Sequence, residues 1–141
     1  MRFILLALFL AAAPVSRAQT PPGEENKDIK QQSEVELKKT ASDLEEAVRQ
    51  HPEKVELHIR LGFTYTKLGK IDEARKSFET TIKLDPKKAI AHYMLGLIYE
   101  KKGLRAQAVA AMKACRDNAA DPLLREKASV HLHRLSSEGA Q

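Results

Sequence analysis

Five histidines (His51, His58, His92, His131 and His133) and one cysteine (Cys115) are the residues whose chemistry suits metal binding or nucleophilic attack. A metal centre needs three or more ligands, each oriented by further hydrogen bonds. The chain has no Cys-x2-Cys, no His-Glu-x2-His and no converging set of carboxylates. His131 and His133 lie two apart, which on a helix points them in different directions, so they are expected at the surface or an edge. Cys115 has no second cysteine to pair with inside the chain. It reads as a partner bond, a reactive thiol or, the favoured reading, a small apolar residue in a helix core. No glycine-rich phosphate loop follows a strand, and no Gly-x-Ser-x-Gly elbow is present. The residue types therefore predict no enzyme, no metal and no cofactor.

The spacing of two of those histidines is more informative. Comparing the chain with itself at an offset of 34 places residues 55–88 on residues 89–122. His58 then falls on His92, Leu61 on Leu95, Gly62 on Gly96, Tyr65 on Tyr99, Lys67 on Lys101, Gly69 on Gly103 and Ala74 on Ala108, with Phe78 matched in kind by Met112. His58, Leu61, Tyr65 and Leu68 follow steps of three and four and so share one helix face. Gly62 removes a side chain where a neighbouring helix must approach. Gly69 suits the left-handed residue that ends a helix. A second helix follows from about Ile71, with Ala74, Phe78, Thr81 and Ile82 on its inner face. Asp72 and Glu73 sit in its first turn, at the positive end of its dipole, and Asp85-Pro86 stops it. Two helices joined by a short turn make an antiparallel hairpin, and the second copy repeats the plan from Ala89 to about Asn118.

This pattern resembles the tetratricopeptide repeat: a large residue, x2, Leu-Gly, x2, Tyr, then Ala, x3, Phe, then Pro, at the same period. The first copy reads His58, Leu61-Gly62, Tyr65, Ala74, Phe78, Pro86, and the second His92, Leu95-Gly96, Tyr99, Ala108, Met112, Pro122. Histidine stands where the family usually has Trp, which predicts a packing role for both. Pro122 comes two residues late, which predicts a longer helix or turn there. The resemblance implies an all-α fold, a right-handed superhelix of antiparallel helix hairpins, with two full repeats plus flanking half-repeat and capping helices. Leu44, Ala47 and Pro52 lie one period ahead of Phe78, Thr81 and Pro86, so residues 30–54 are expected to form a partial repeat. Leu124, Ala128, Leu132 and Leu135 predict a capping helix within residues 123–137.

The two ends differ from this body. Met1-Arg2, an apolar run over residues 3–13, Pro14 and then Ser16-Arg17-Ala18 form the three-part pattern of a secretory signal peptide cleaved after Ala18. The run is shorter than the roughly 20 apolar residues that span a bilayer, so no stable membrane span is expected after cleavage. On this reading the protein is exported, periplasmic or extracellular. Residues 19–29 contain Pro21-Pro22-Gly23 and nothing apolar to bury, and are expected to be a flexible leader.

The charge, +5 from 24 Lys and Arg against 19 Asp and Glu, drops to +3 without Arg2 and Arg17. Acidic and basic residues are interleaved, as on solvated helix faces. A nucleic-acid partner would need its cations gathered on one face, and none is expected. Proteins of the family use a groove lined by the first helix of each repeat. Carried onto this chain, the groove positions are Glu56, Ile59, Phe63, Thr66 and Lys67, then Ile90, Tyr93, Leu97, Glu100 and Lys101. Ile59, Phe63, Tyr93 and Leu97 would make its centre apolar, which argues against a clamp for a terminal carboxylate. It fits an amphipathic helix or extended apolar segment of a protein partner. The alternative is self-assembly, with the same face forming a homo-oligomer in the cell envelope, or cover of the groove by the chain's own first helix.

Overall fold

The computed structural model describes residues 22–137. They form six α-helices: α1 (Pro22–Gln50), α2 (Val55–Lys67), α3 (Ile71–Leu84), α4 (Ala89–Lys101), α5 (Arg105–Asn118) and α6 (Pro122–Ser137). Each helix packs chiefly on the next in chain order, as in a solenoid where every unit touches only its neighbours. The architecture is the all-α superhelix of helix hairpins that the repeat implied.

The repeat period is built into the hairpins atom by atom. A Cβ on Gly62 would lie 2.7 Å from Cζ of Phe78, and one on Gly96 would lie 2.7 Å from Cε of Met112. In each repeat the missing side chain lets the second helix seat its largest buried residue against the first. Phe78 and Met112 are both fully buried as a result. Gly69 and Gly103 hold φ of 73° and 71°. The amide after each bonds back to the tyrosine carbonyl, Lys70 N to Tyr65 O at 2.9 Å and Leu104 N to Tyr99 O at 2.8 Å. This is the Schellman closure of a helix end.

The histidines tie one repeat to the turn before it. Nε2–H of His58 donates to the Pro52 carbonyl at 2.8 Å, and that of His92 to the Pro86 carbonyl at 2.7 Å. Since a carbonyl can only accept, the proton sits on Nε2 in both rings. A second repeated tie joins tyrosine to the preceding helix. The Tyr65 hydroxyl donates to Glu45 at 2.5 Å and that of Tyr99 to Glu79 at 3.2 Å.

The apolar core runs along the stack in two parts. Ala41, Leu44, Leu61, Tyr65, Ala74, Phe78, Ala91, Leu95, Ile98 and Ala111 form one. Met112, Cys115, Ala128 and Leu132, with Tyr93, Leu97 and Leu124 against them, form the other. Burial of each large apolar side chain contributes roughly 1.5–3 kcal/mol. Among the described residues no buried side-chain polar atom lacks a partner: Thr64, Ser77 and Thr81 each donate to the carbonyl four residues back.

Two expectations about the elements change. The first helix begins at Pro22, not near residue 30, because proline at a first helical position loses no hydrogen bond and has a helix-ready φ. Neither helix nor turn is longer in the second repeat. α3 ends at Leu84 and α5 at Asn118, equivalent positions of the two copies, and Pro122 is the first residue of α6. Asp121 caps that start, accepting from the Leu123 amide at 3.0 Å. Residues 1–18, read as a signal peptide, lie outside the described residues.

Candidate functional site

The sequence-derived groove residues occupy one stripe on α2 and one on α4, because steps of three and four return to the same helix face. Their surroundings differ. Ile59 is buried, 7% exposed, which removes it from the exposed centre expected for it. Phe63 is half-buried and meets Phe78 edge-on, ring centres 5.5 Å apart. Thr66 turns its hydroxyl back to the Gly62 carbonyl at 2.8 Å. Glu56 is exposed and holds Nζ of Lys88 at 2.6 Å. Ile90 is half-buried and Lys67 and Lys101 are exposed.

On α4 the stripe is joined by α6. Tyr93 and Leu97 are half-buried against the Met112 and Leu132 cluster. The Tyr93 ring stands edge-on to His131, centres 5.8 Å apart. Glu100 takes Nδ1 of His131 at 2.9 Å and also binds Arg134. His131 is therefore a half-buried contact residue, not a surface one, whereas His133 is exposed. Ala41 and Leu44 of α1 pack into the core with Leu61 and Tyr65, and Phe63 packs against that same cluster. Partial cover comes from α6, on Tyr93 and Leu97.

His131 and Arg134 are functional candidates that the motif did not name. Their signal was the period itself: they lie one repeat length after Leu97 and Glu100. α6 carries no Leu-Gly-x2-Tyr to reveal that it continues the same stripe. Lys127, one repeat length after Tyr93, continues it, and with Leu123, Glu126, Val130 and His131 lines a shallow cavity of about 310 Å³ on α6. Leu123 and Val130 are 58% and 62% exposed. A second shallow cavity, about 280 Å³, lies between α3, α4 and α5 beside Ile82, His92 and Tyr99.

Cys115 is fully buried, and burial pushes its thiol up to about 11, away from the thiolate that reacts. Burial and the Glu45 carboxylate likewise raise the Tyr65 phenol, and burial with Glu79 raises Tyr99. Among the described residues no group of three His, Cys, Asp or Glu side chains is placed to hold a metal ion.

A stack of helix hairpins presenting one partly apolar stripe belongs to the class of helical repeat scaffolds. Within it, family models described as TPR repeat and tetratricopeptide repeat match residues 64–103 and 91–121. Residues 64–121 of the chain thus carry tetratricopeptide repeats. No curated protein matches the sequence. Among solved structures, it is similar to the type III secretion translocator chaperone SycD of Yersinia enterocolitica, at 14% identity and a TM-score of 0.71, covering 80% of this chain and 81% of that one. It is also similar to PcrH in complex with the chaperone binding region of PopD, at 15% identity and a TM-score of 0.69, covering 87% and 98%. A Bordetella parapertussis protein solved in solution is 27% identical with a TM-score of 0.59, covering 71% and 90%.

These likenesses correct the localisation expected from residues 1–18. SycD, similar in fold, is described as a type III secretion translocator chaperone, which stands against the periplasmic or extracellular reading. No helix of the described residues is long and apolar enough to cross a membrane.

Proposed function

We propose that the chain is a non-catalytic scaffold that holds an apolar or amphipathic peptide segment of a partner protein along the stripe of α2, α4 and α6. The observation that carries this reading is the line of half-buried apolar side chains, Phe63, Ile90, Tyr93 and Leu97, on helices rigidly tied by the repeat. Partly exposed apolar surface of this kind marks interaction sites, and a helix-in-groove partner supplies the matching face. SycD, similar in fold, is known in complex with a peptide of the translocator YopD, which supports the same mode here.

The test is binding of a fluorescent synthetic amphipathic helix with an uncharged polar face, followed by anisotropy. Phe63→Glu and Ile90→Glu are the variants, with helicity checked by circular dichroism. Ile90 belongs to neither core cluster, so its variant stays informative if Phe63→Glu perturbs packing against Phe78. The expected result is a loss of affinity of about tenfold or more in each folded variant, consistent with burying an unpaired charge. Unchanged binding by both would overturn the proposal. Sedimentation of the protein alone tests self-association: a dimer that Ile90→Glu dissolves would assign the stripe to a second copy instead.

A further inference from the structure

The carboxylates and the cations along the stripe are treated differently by the fold. Both acidic members contributed by α2 and α4 are already engaged inside the molecule: Glu56 with Lys88 at 2.6 Å, and Glu100 with His131 at 2.9 Å and with Arg134. Lys67 and Lys101 are exposed and make no ion pair with either. They occupy equivalent places in the two repeats, each four residues after an apolar stripe residue, Phe63 and Leu97. One turn of helix separates such positions, so apolar and cationic ends lie side by side on the same face. Lys127 of α6 stands one repeat length after Tyr93, exposed between Leu123 and Val130, with Glu126 as its neighbouring carboxylate.

Helix-dipole compensation accounts for a lysine in a last turn, and Lys67 and Lys101 stand in the last turns of α2 and α4. It does not account for Lys127, which lies inside α6 (Pro122–Ser137). The wider distribution agrees. From residue 101 to 137 the chain carries eight Lys and Arg against three Asp and Glu, whereas residues 22–100 carry 14 against 15. Even with Glu126 counted, the uncompensated charge at the stripe is therefore positive, and its lysines border the apolar surface on α2, α4 and α6.

We infer that the segment held here is acidic: an amphipathic peptide whose apolar anchors fill the line from Phe63 to Leu97 and whose Asp or Glu side chains flank them, meeting Lys67, Lys101 and Lys127. This rests on the scaffold reading above and adds the charge of the partner. Complementary rim charges raise association rate and selectivity more than they raise total affinity, and their contribution shrinks as salt screens them.

Three synthetic helical peptides with one shared apolar face and polar faces of Glu, Gln or Lys separate the two claims. At low ionic strength the Glu peptide is expected to bind about tenfold tighter than the Gln peptide, the scale of roughly 1.4 kcal/mol, and the Lys peptide weakest. Raising salt to about 0.5 M should narrow the spread to within about threefold, because the Debye length falls well below roughly 10 Å. The triple variant Lys67→Gln/Lys101→Gln/Lys127→Gln should lose the preference for the Glu peptide over the Gln peptide. Equal binding of all three peptides, with Ile90→Glu still damaging, overturns the acidic partner and leaves the scaffold standing. Failure of all three to bind overturns both. A Glu preference that survives in the triple lysine variant overturns the assignment to these residues.

Discussion

At the residue scale, identical side chains acquire different chemistry from their surroundings. His58 and His92 look like a ligand pair when the chain is inspected for reactive groups, yet each spends its ring proton on a proline carbonyl six residues earlier. An imidazole can take the place of the usual Trp because it too offers a ring N–H beside a flat apolar body. Cys115 is closed to chemistry by burial alone, and this has a measurable consequence. Its folded thiol, at about 11, titrates above its ordinary value of 9.0. A group raised in this way contributes stability that is complete below the unfolded value and is lost as pH climbs through the folded one. Melting temperature should therefore fall from about pH 9 upward, and Cys115→Ala, less stable at pH 8, should lose less of its own stability over the same rise to pH 11. Part of the alkaline loss should remain in the variant, since Tyr65 is raised as well. Parallel pH curves for the two proteins would refute the assignment.

At the element scale, the hairpin depends on how closely two helices can approach. Phe78 reaches the α2 backbone because residue 62 has no Cβ, and Phe63 meets the ring from the side at 5.5 Å, so the ring has little room to retreat. Gly62→Ala is expected to destabilise the protein by about 1–3 kcal/mol through overpacking, despite the better helix propensity of alanine. Phe78→Leu should cost less in the Gly62→Ala background than in the native one, the non-additivity expected of residues in contact. Denaturant melts of the four proteins would show it, and strict additivity would count against a direct clash. The same closeness explains the second copy, where the flexible Met112 fills the place of a phenylalanine against Gly96.

At the scale of the whole molecule, a solenoid must protect its ends. α1 supplies the first cover through Ala41 and Leu44, and α6 supplies the last by closing over Met112 and Cys115. The α4–α6 junction also has a polar clasp at Glu100, which binds His131 and Arg134. Glu100→Ala removes the acceptor of both, and a loss of about 1 kcal/mol is expected for a partly exposed pair of contacts. Because each helix chiefly touches its sequence neighbours, the damage should stay local. Amide exchange should quicken in α6 and leave α2 and α3 unchanged, whereas a uniform increase across all six helices would show that the clasp does not act at one junction.

The fold was legible in the chain because its determinants are local and repeated. Leu-Gly-x2-Tyr, the glycine at each helix end and the proline after each hairpin state their roles twice, one repeat length apart, and a left-handed φ or a missing Cβ needs no knowledge of distant contacts. The candidate site was legible only as a stripe. Which members are covered depends on helices far away in sequence: Ile59 is buried, Tyr93 and Leu97 lean on α6, and Glu100 is claimed by His131 and Arg134 from that same helix. α6 carries no Leu-Gly-x2-Tyr to announce that it continues the same surface, so only the period pointed to His131 and Arg134, and tertiary packing supplied their contacts with Tyr93 and Glu100. The residues alone thus determined a tetratricopeptide stack and the face it offers. Tertiary structure decided which charges are paired there, because Lys88, His131 and Arg134 reach Glu56 and Glu100 only once the helices are stacked.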